Sequence, residues 1–140
     1  MAVTETKITV RYAETDQMGV VHHAVYPVWF EAARTEFIKI IGITYSKMEE
    51  MGTLLPVYEL RVKYLRGAKY EEELLVETKL SLITPARIVF SYRVYREDDP
   101  EKNLLVEGSS IHAWVDQNMR PINMKKRYPE LYDKISELAE

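Results

Sequence analysis

Apolar residues return every three or four positions along the segment 26–41. Tyr26, Trp29, Phe30, Ala33, Phe37 and Ile41 share one stripe, with Glu31, Arg34, Thr35 and Lys39 largely between them. This is the period of a helix with one buried face, and it predicts a helix over 27–42. Pro27 is tolerated only in a first turn, where its missing N–H has no partner to lose, so the helix starts between Ala24 and Pro27. Gly42 supplies the stop.

Beyond this helix the period falls to two. Over 57–65, Tyr58, Leu60, Val62 and Tyr64 alternate with Glu59, Arg61 and Lys63, which predicts a strand with one wet face and one face on the core. The alternation returns at Leu74, Val76, Thr78, Leu80 and Leu82, then at Ile88, Phe90, Tyr92 and Val94, and last in a run over 104–115 containing Ile111, Ala113 and Val115. Gly67-Ala68, Thr84-Pro85 and Asp98-Asp99-Pro100 separate these runs with turn-forming residues. A short strand over 6–12 precedes the helix, and 44–51 reads as a helical turn ended by Gly52. Tyr128-Pro129-Glu130 opens a last helix through Leu131, Ile135 and Leu138, expected to pack on an edge. One long helix and an antiparallel sheet of about five strands make an α+β packing, the helix burying its stripe against a curved sheet. Such a sheet leaves edge strands open, so pairing of subunits is expected.

A chain of 140 residues, 46% hydrophobic and 29% charged, has the size and balance of one ordinary soluble domain spanning 1–140. Net charge is −3, and the longest basic cluster, Lys125-Lys126-Arg127, is too short to indicate nucleic-acid binding. The absence of cysteine removes disulfides, thiolate metal sites and a cysteine nucleophile, and agrees with a reducing compartment, so the cytoplasm is the expected location. Neither a signal pattern at the N-terminus nor an apolar run of the ~20 residues needed to cross a bilayer is present. A Gly-x-Ser-x-Gly elbow and a glycine-rich phosphate loop are absent as well.

The candidate chemistry lies just ahead of the long helix. Asp16-Gln17-Met18-Gly19-Val20-Val21-His22-His23-Ala24-Val25-Tyr26 sets a carboxylate, a flexible glycine and a histidine beside a helix start, where backbone N–H groups are free and partly positive. Aspartate in that place can attack an electrophilic carbon, deprotonate a water, or simply cap a turn. His23 either orients Asp16 or a water, or hydrogen-bonds the loop backbone. Carboxylate and imidazole are ordinary metal ligands, but adjacent histidines rarely converge on one ion and no further ligand is evident beside Asp16, His22 and His23, so no metal is expected.

The spacing Asp16-x-x-Gly19-x-x-x-His23-x-x-Tyr26-x-x-x-x-Glu31-x-x-Arg34, followed by Val62-Lys63-Tyr64-Leu65-Arg66 and Gly67-Ala68, resembles hotdog-fold acyl-CoA thioesterases. The group it resembles is the 4-hydroxybenzoyl-CoA thioesterase-like one that includes the bacterial Tol-Pal-associated thioesterases, and the likeness runs almost end to end. It implies a hotdog fold and hydrolysis of an acyl-CoA to free acid and coenzyme A, with coenzyme A present only as part of the substrate and no other cofactor. It implies Asp16 as catalytic nucleophile or general base, His23 beside it, and N–H groups at the helix start polarising the thioester carbonyl. Those of His23, Ala24 and Val25 stand nearest, and Pro27 has none. Substrate contacts are implied at Gly19, Val25, Tyr26, Tyr64, Gly67 and Ala68. A homodimer or homotetramer is implied too, with 64–68 completing the site built around Asp16 of the partner chain. Val25 stands where the family often has asparagine, Gly67 where it often has proline, and His22 replaces a common tyrosine.

Other residues have plainer readings. Glu31 and Arg34 fall three apart on one helix face and are expected to pair; Trp29, Phe30 and Phe37 are expected in the core; Tyr26 anchors the helix start or lines the acyl pocket; His112 is expected to be structural. Arg66, Lys69, Arg87 and the Lys125 to Arg127 cluster are the available partners for coenzyme A phosphates. Two other functions are compatible with the same residues: a hotdog hydratase or dehydratase moving protons with His23 and an acid, and an acyl-CoA-binding protein without turnover.

Overall fold

The computed structural model describes residues 2–139. Strands β1 (Val3–Thr9), β2 (Val57–Tyr64), β3 (Glu73–Ile83), β4 (Arg87–Arg96) and β5 (Val106–Ala113) form one antiparallel sheet in the order β1-β3-β4-β5-β2. Helix α1 (Tyr26–Ile38) packs on it, and three short helices, α2 (Tyr45–Glu50), α3 (Met124–Arg127) and α4 (Pro129–Ser136), complete the regular elements. This is the α+β hotdog arrangement expected from the sequence.

The stripe on α1 does what its period predicts. Tyr26, Trp29, Phe30, Ala33, Phe37 and Ile38 are buried. Phe30 stacks on Tyr92 of β4 with centroids 4.3 Å apart, and Phe37 meets Phe90 edge-on at 5.8 Å. Gly108 on β5 makes room for this contact, since a Cβ there would lie 2.7 Å from the Phe30 ring. The α-helix stops at Ile38 and tightens into a 3-10 turn through Ile41, with Gly42 left-handed at φ +78°. Thr44 caps α2, its hydroxyl accepting the Lys47 N–H at 3.1 Å.

Four strand readings change. The first strand runs over Val3–Thr9 rather than 6–12, because Thr4, Thr6 and Ile8 turn inward only halfway, at an edge the core does not fully cover. On β2 neither face is buried: Tyr58, Leu60 and Tyr64 are exposed and only Glu59 and Val62 are half-covered, β2 being the other edge of the sheet. In β3 the register shifts between Leu80 and Leu82, and this irregularity turns Leu82 out to solvent. In β5 the residues facing the core are Val106, Ser110 and His112, not Ile111 and Ala113. The closing helix ends at Ser136, short of Leu138, and α3 ahead of it was not foreseen; Ala139 then bridges to Leu80 and so docks this end of the chain on β3.

Ser110 and His112 are polar because they belong to a buried chain of hydrogen bonds. Arg34 Nη1 lies 3.2 Å from Tyr92 Oη, Tyr92 Oη 2.6 Å from Ser110 Oγ, Ser110 Oγ 2.7 Å from His112 Nε2, and His112 Nδ1 3.0 Å from the Leu55 carbonyl. The two ends fix every proton. A carbonyl can only accept, so Nδ1 carries hydrogen and Nε2 accepts from Ser110; Arg34 can only donate, so each hydroxyl passes its proton toward His112. Arg34 therefore points into the core, and its bonded partner is Tyr92 rather than the expected Glu31. Burial, joined by the positive charge of Arg34, pushes His112 down to about 4 against the raising effect of the Leu55 carbonyl.

Candidate active site

After β1 the chain makes a 3-10 turn over Tyr12–Glu14 and enters a tight loop closed by the bridge between Thr15 and Val21. Asp16 organises this loop. Its N–H donates to the Val20 carbonyl at 2.9 Å, its carbonyl accepts the Gly19 N–H at 3.0 Å, and its Oδ1 accepts the N–H groups of Met18 at 2.9 Å and Val20 at 3.4 Å. The turn-capping role thus occupies Oδ1, and Oδ2 makes no hydrogen bond among the described residues. Gly19 is needed for its left-handed backbone, φ +82°, rather than for space.

The loop leads into the start of α1 through His22, which takes up two backbone donors. The Ala24 N–H reaches His22 Nδ1 at 3.1 Å and the Val25 N–H reaches the His22 carbonyl at 3.0 Å. Of the three N–H groups nominated from sequence, only that of His23 is free among the described residues, and the Tyr26 N–H joins it. The His23 ring stacks on His22 at 4.1 Å, and Val25 is the helix N-cap, half-buried against the core.

The 64–68 segment packs on this loop within its own chain. Tyr64 Oη donates to the His23 carbonyl at 2.8 Å. The Ala68 carbonyl accepts the Val21 N–H at 2.9 Å, and a Cβ on Gly67 would lie 2.7 Å from Val20 Cγ1. A proline at position 67 would not fit this approach without movement of Val20. Tyr26 is buried with its ring 5.7 Å from that of Tyr64, and burial pushes its hydroxyl up to about 12, the neighbouring Tyr64 adding to the rise. The Arg96 guanidinium, paired with Glu72, holds the Gly67 carbonyl at 3.0 Å.

A groove of about 410 Å³ on β2, β4 and β5, lined by Arg61, Val62, Tyr92 and Gly108 among others, does not include Asp16. The Asp16 loop is open, with Met18 82% exposed. Among the described residues no three His, Asp or Glu side chains converge to share a cation, Asp16, His22 and His23 included. The proposed phosphate partners divide: Arg66 and Lys69 flank Gly67, whereas Arg87, over the Tyr58 ring at 4.5 Å, opens β4 at the opposite end of the sheet, and the Lys125 to Arg127 cluster forms α3 beyond the same end.

This loop-and-helix geometry has known counterparts. The profile described as Thioesterase superfamily matches residues 18–102, from just after Asp16 past Ala68. YneP of Bacillus subtilis is 39% identical over 131 residues, covering 93% of both chains. The chain belongs to the thioesterase superfamily. It is a thioester hydrolase, similar also to the acyl-CoA thioesterase YbgC of Haemophilus influenzae, 38% identical over 85% of this chain and 86% of that one. The solved DHNA-CoA thioesterase of Staphylococcus aureus superposes on this thioesterase with a TM-score of 0.90 at 33% identity, covering 98% of this chain and 91% of the other. No helix of the described residues is long and apolar enough to cross a membrane.

Glu14 escaped the sequence reading of the site. It is a buried carboxylate that accepts the Arg11 N–H at 2.8 Å and the Trp29 indole N–H at 2.9 Å. Its one signal is the glutamate half of a capping box, three residues after extended Arg11. Nothing in the apolar pattern announces that such a side chain turns inward.

Proposed function

We propose that this thioesterase hydrolyses acyl-CoA thioesters through Asp16, with the His23 N–H receiving the negative charge that develops on the thioester oxygen. The observation that carries the reading is the pairing, among the described residues, of a carboxylate with one oxygen unbonded and a helix start with a backbone donor unbonded, on one hydrogen-bonded loop. Two routes use the same groups. Asp16 Oδ2 attacks the thioester carbon and expels the thiolate of coenzyme A, which takes a proton, and water then cleaves the mixed anhydride; or Asp16 takes a proton from the water that attacks. Neither route needs a further cofactor. Acylated Asp16 in acid-quenched turnover mixtures, read by mass spectrometry, distinguishes the first from the second. The names of the similar proteins YbgC and the DHNA-CoA thioesterase support coenzyme A as the carrier.

The active unit in this reading is a dimer or a dimer of dimers, in the cytoplasm. Tyr58, Leu60, Tyr64 and Leu65 expose apolar surface along β2, whose outer side carries no strand among the described residues. An uncovered apolar edge is a template for another strand. Antiparallel pairing of two β2 edges brings the partner's Arg87 end beside this chain's Tyr64, adding a cation for phosphate and a wall to the open Asp16 loop.

The test is free-thiol release from acetyl-, long-chain and aromatic acyl-CoA thioesters, run beside Asp16→Asn at matched fold and oligomeric state. Loss of roughly 100- to 10,000-fold in kcat is expected, the range removed with a positioned acid or base. Binding of intact acyl-CoA without turnover by the parent protein would replace this reading with that of a binding protein.

A further inference from the structure

Glu14 stands two residues before Asp16, 7% exposed, and has no part in the chemistry above. Its contacts join three pieces of chain. Oε1 accepts the Arg11 N–H at 2.8 Å; Oε2 accepts the Arg11 guanidinium at 3.1 Å and the Trp29 indole N–H at 2.9 Å; its backbone carbonyl accepts the His22 N–H at 2.9 Å. Burying an ionised carboxylate is unfavourable unless it is fully hydrogen-bonded, and a residue that only closed the Arg11 turn could do so from the surface. Burial alone would raise this carboxyl, yet the Arg11 guanidinium and N–H together with the indole hold it below the ordinary value.

The Trp29 bond explains the burial. Trp29 sits in the first turn of α1 with its ring 5.0 Å from Tyr26, which meets Tyr64, the donor to the His23 carbonyl. Glu14 thus holds the entry of the Asp16 loop to the helix through its side chain and the exit through its carbonyl and His22. We infer that Glu14 is a positioning residue that fixes the Asp16 carboxylate relative to the His23 N–H by anchoring the loop to Trp29. This rests on the Asp16 reading above.

The test uses the full chain, with Glu14→Ala, Glu14→Gln, Trp29→Phe and the Glu14→Ala/Trp29→Phe pair, measured by thiol release and by amide exchange followed by mass spectrometry. A misplacement of about 1 Å can remove about 100-fold of rate, so Glu14→Ala and Trp29→Phe are each expected to lower kcat about 30- to 100-fold with KM within about threefold. The pair falls no further than the worse single change, because the two act as one unit. Glu14→Gln keeps an acceptor for the indole and recovers part of the rate. Exchange over 15–25 quickens about tenfold or more while β3 and β4 keep their protection. A purely structural Glu14 would instead lower Tm and leave kcat per folded molecule unchanged. The inference is overturned if Glu14→Ala, or Glu14→Gln and Trp29→Phe should Glu14→Ala not fold, keeps kcat within about twofold and normal exchange over 15–25. If Asp16→Asn keeps full turnover, the Asp16 reading fails, and the exchange result alone decides whether Glu14 holds the loop.

Discussion

Asp16 and Tyr64 hold the two ends of the stretch from Met18 to Ala24. Oδ1 of Asp16 shapes the turn, and the Tyr64 hydroxyl, 2.8 Å from the His23 carbonyl, pins the peptide that follows the free His23 N–H. The far side of that peptide, the Ala24 N–H, is held by His22, so its orientation is fixed at both ends. The Tyr64 hydroxyl thus acts on the backbone of the loop. Tyr64→Phe keeps the ring and removes the donor. Because the His23 carbonyl is exposed and water can replace the hydroxyl, the change in stability should stay within about 1 kcal/mol. If the His23 N–H serves the reaction as proposed, catalysis needs the peptide in place, and a loss of about 1 kcal/mol in the transition state corresponds to roughly a fivefold fall in kcat. Paired kcat and Tm measurements check both halves.

Among the elements, β2 carries the clearest prediction. Leu60 is 40% exposed at the middle of an edge strand with no neighbour on its outer side. Leu60→Lys should yield a folded monomer in sedimentation, with thiol release depressed in parallel; a folded, fully active monomer would show that the loop works alone. The same strand shows what patterning can and cannot convey. Alternation in 57–65 identified the strand, but a period of two says only that two faces differ, not that either is covered. Helix α1 and strand β4 were legible because Trp29, Phe30 and Phe37, and Ile88, Phe90 and Tyr92, bury where their periods put them. Strand β5 misled because its core face is polar: Ser110 and His112 are buried by hydrogen bonds, which leave no trace in hydrophobicity. The Asp16 loop was legible through its spacing and its resemblance to known thioesterases. Glu14 was not, since its burial depends on Trp29, 15 residues away in sequence.

For the whole molecule, the relay from Arg34 to Leu55 links α1, β4, β5 and the approach to β2 through donors that all face one way. Protonating His112 at Nε2 would set a donor against the Ser110 hydroxyl, and the relay cannot reverse because Arg34 cannot accept. Held down to about 4 in the fold against 6.5 when unfolded, His112 stays neutral in the native state while the unfolded chain takes up a proton. Its contribution to stability is therefore complete above about pH 6.5 and is lost as pH falls toward 4, amounting to about 3 kcal/mol. Urea unfolding at pH 7 and pH 4.5 should show this loss, and His112→Gln should flatten it. The closure of the Asp16 loop has a consequence in time. Tyr64 reaches His23 across 41 positions of sequence, and Val21 finds Ala68 across a similar gap, so these two ties on the loop form only once the 64–68 segment has come to it. A chain emerging from synthesis thus carries Asp16, His22 and His23 well before the long-range contacts that complete this loop can form.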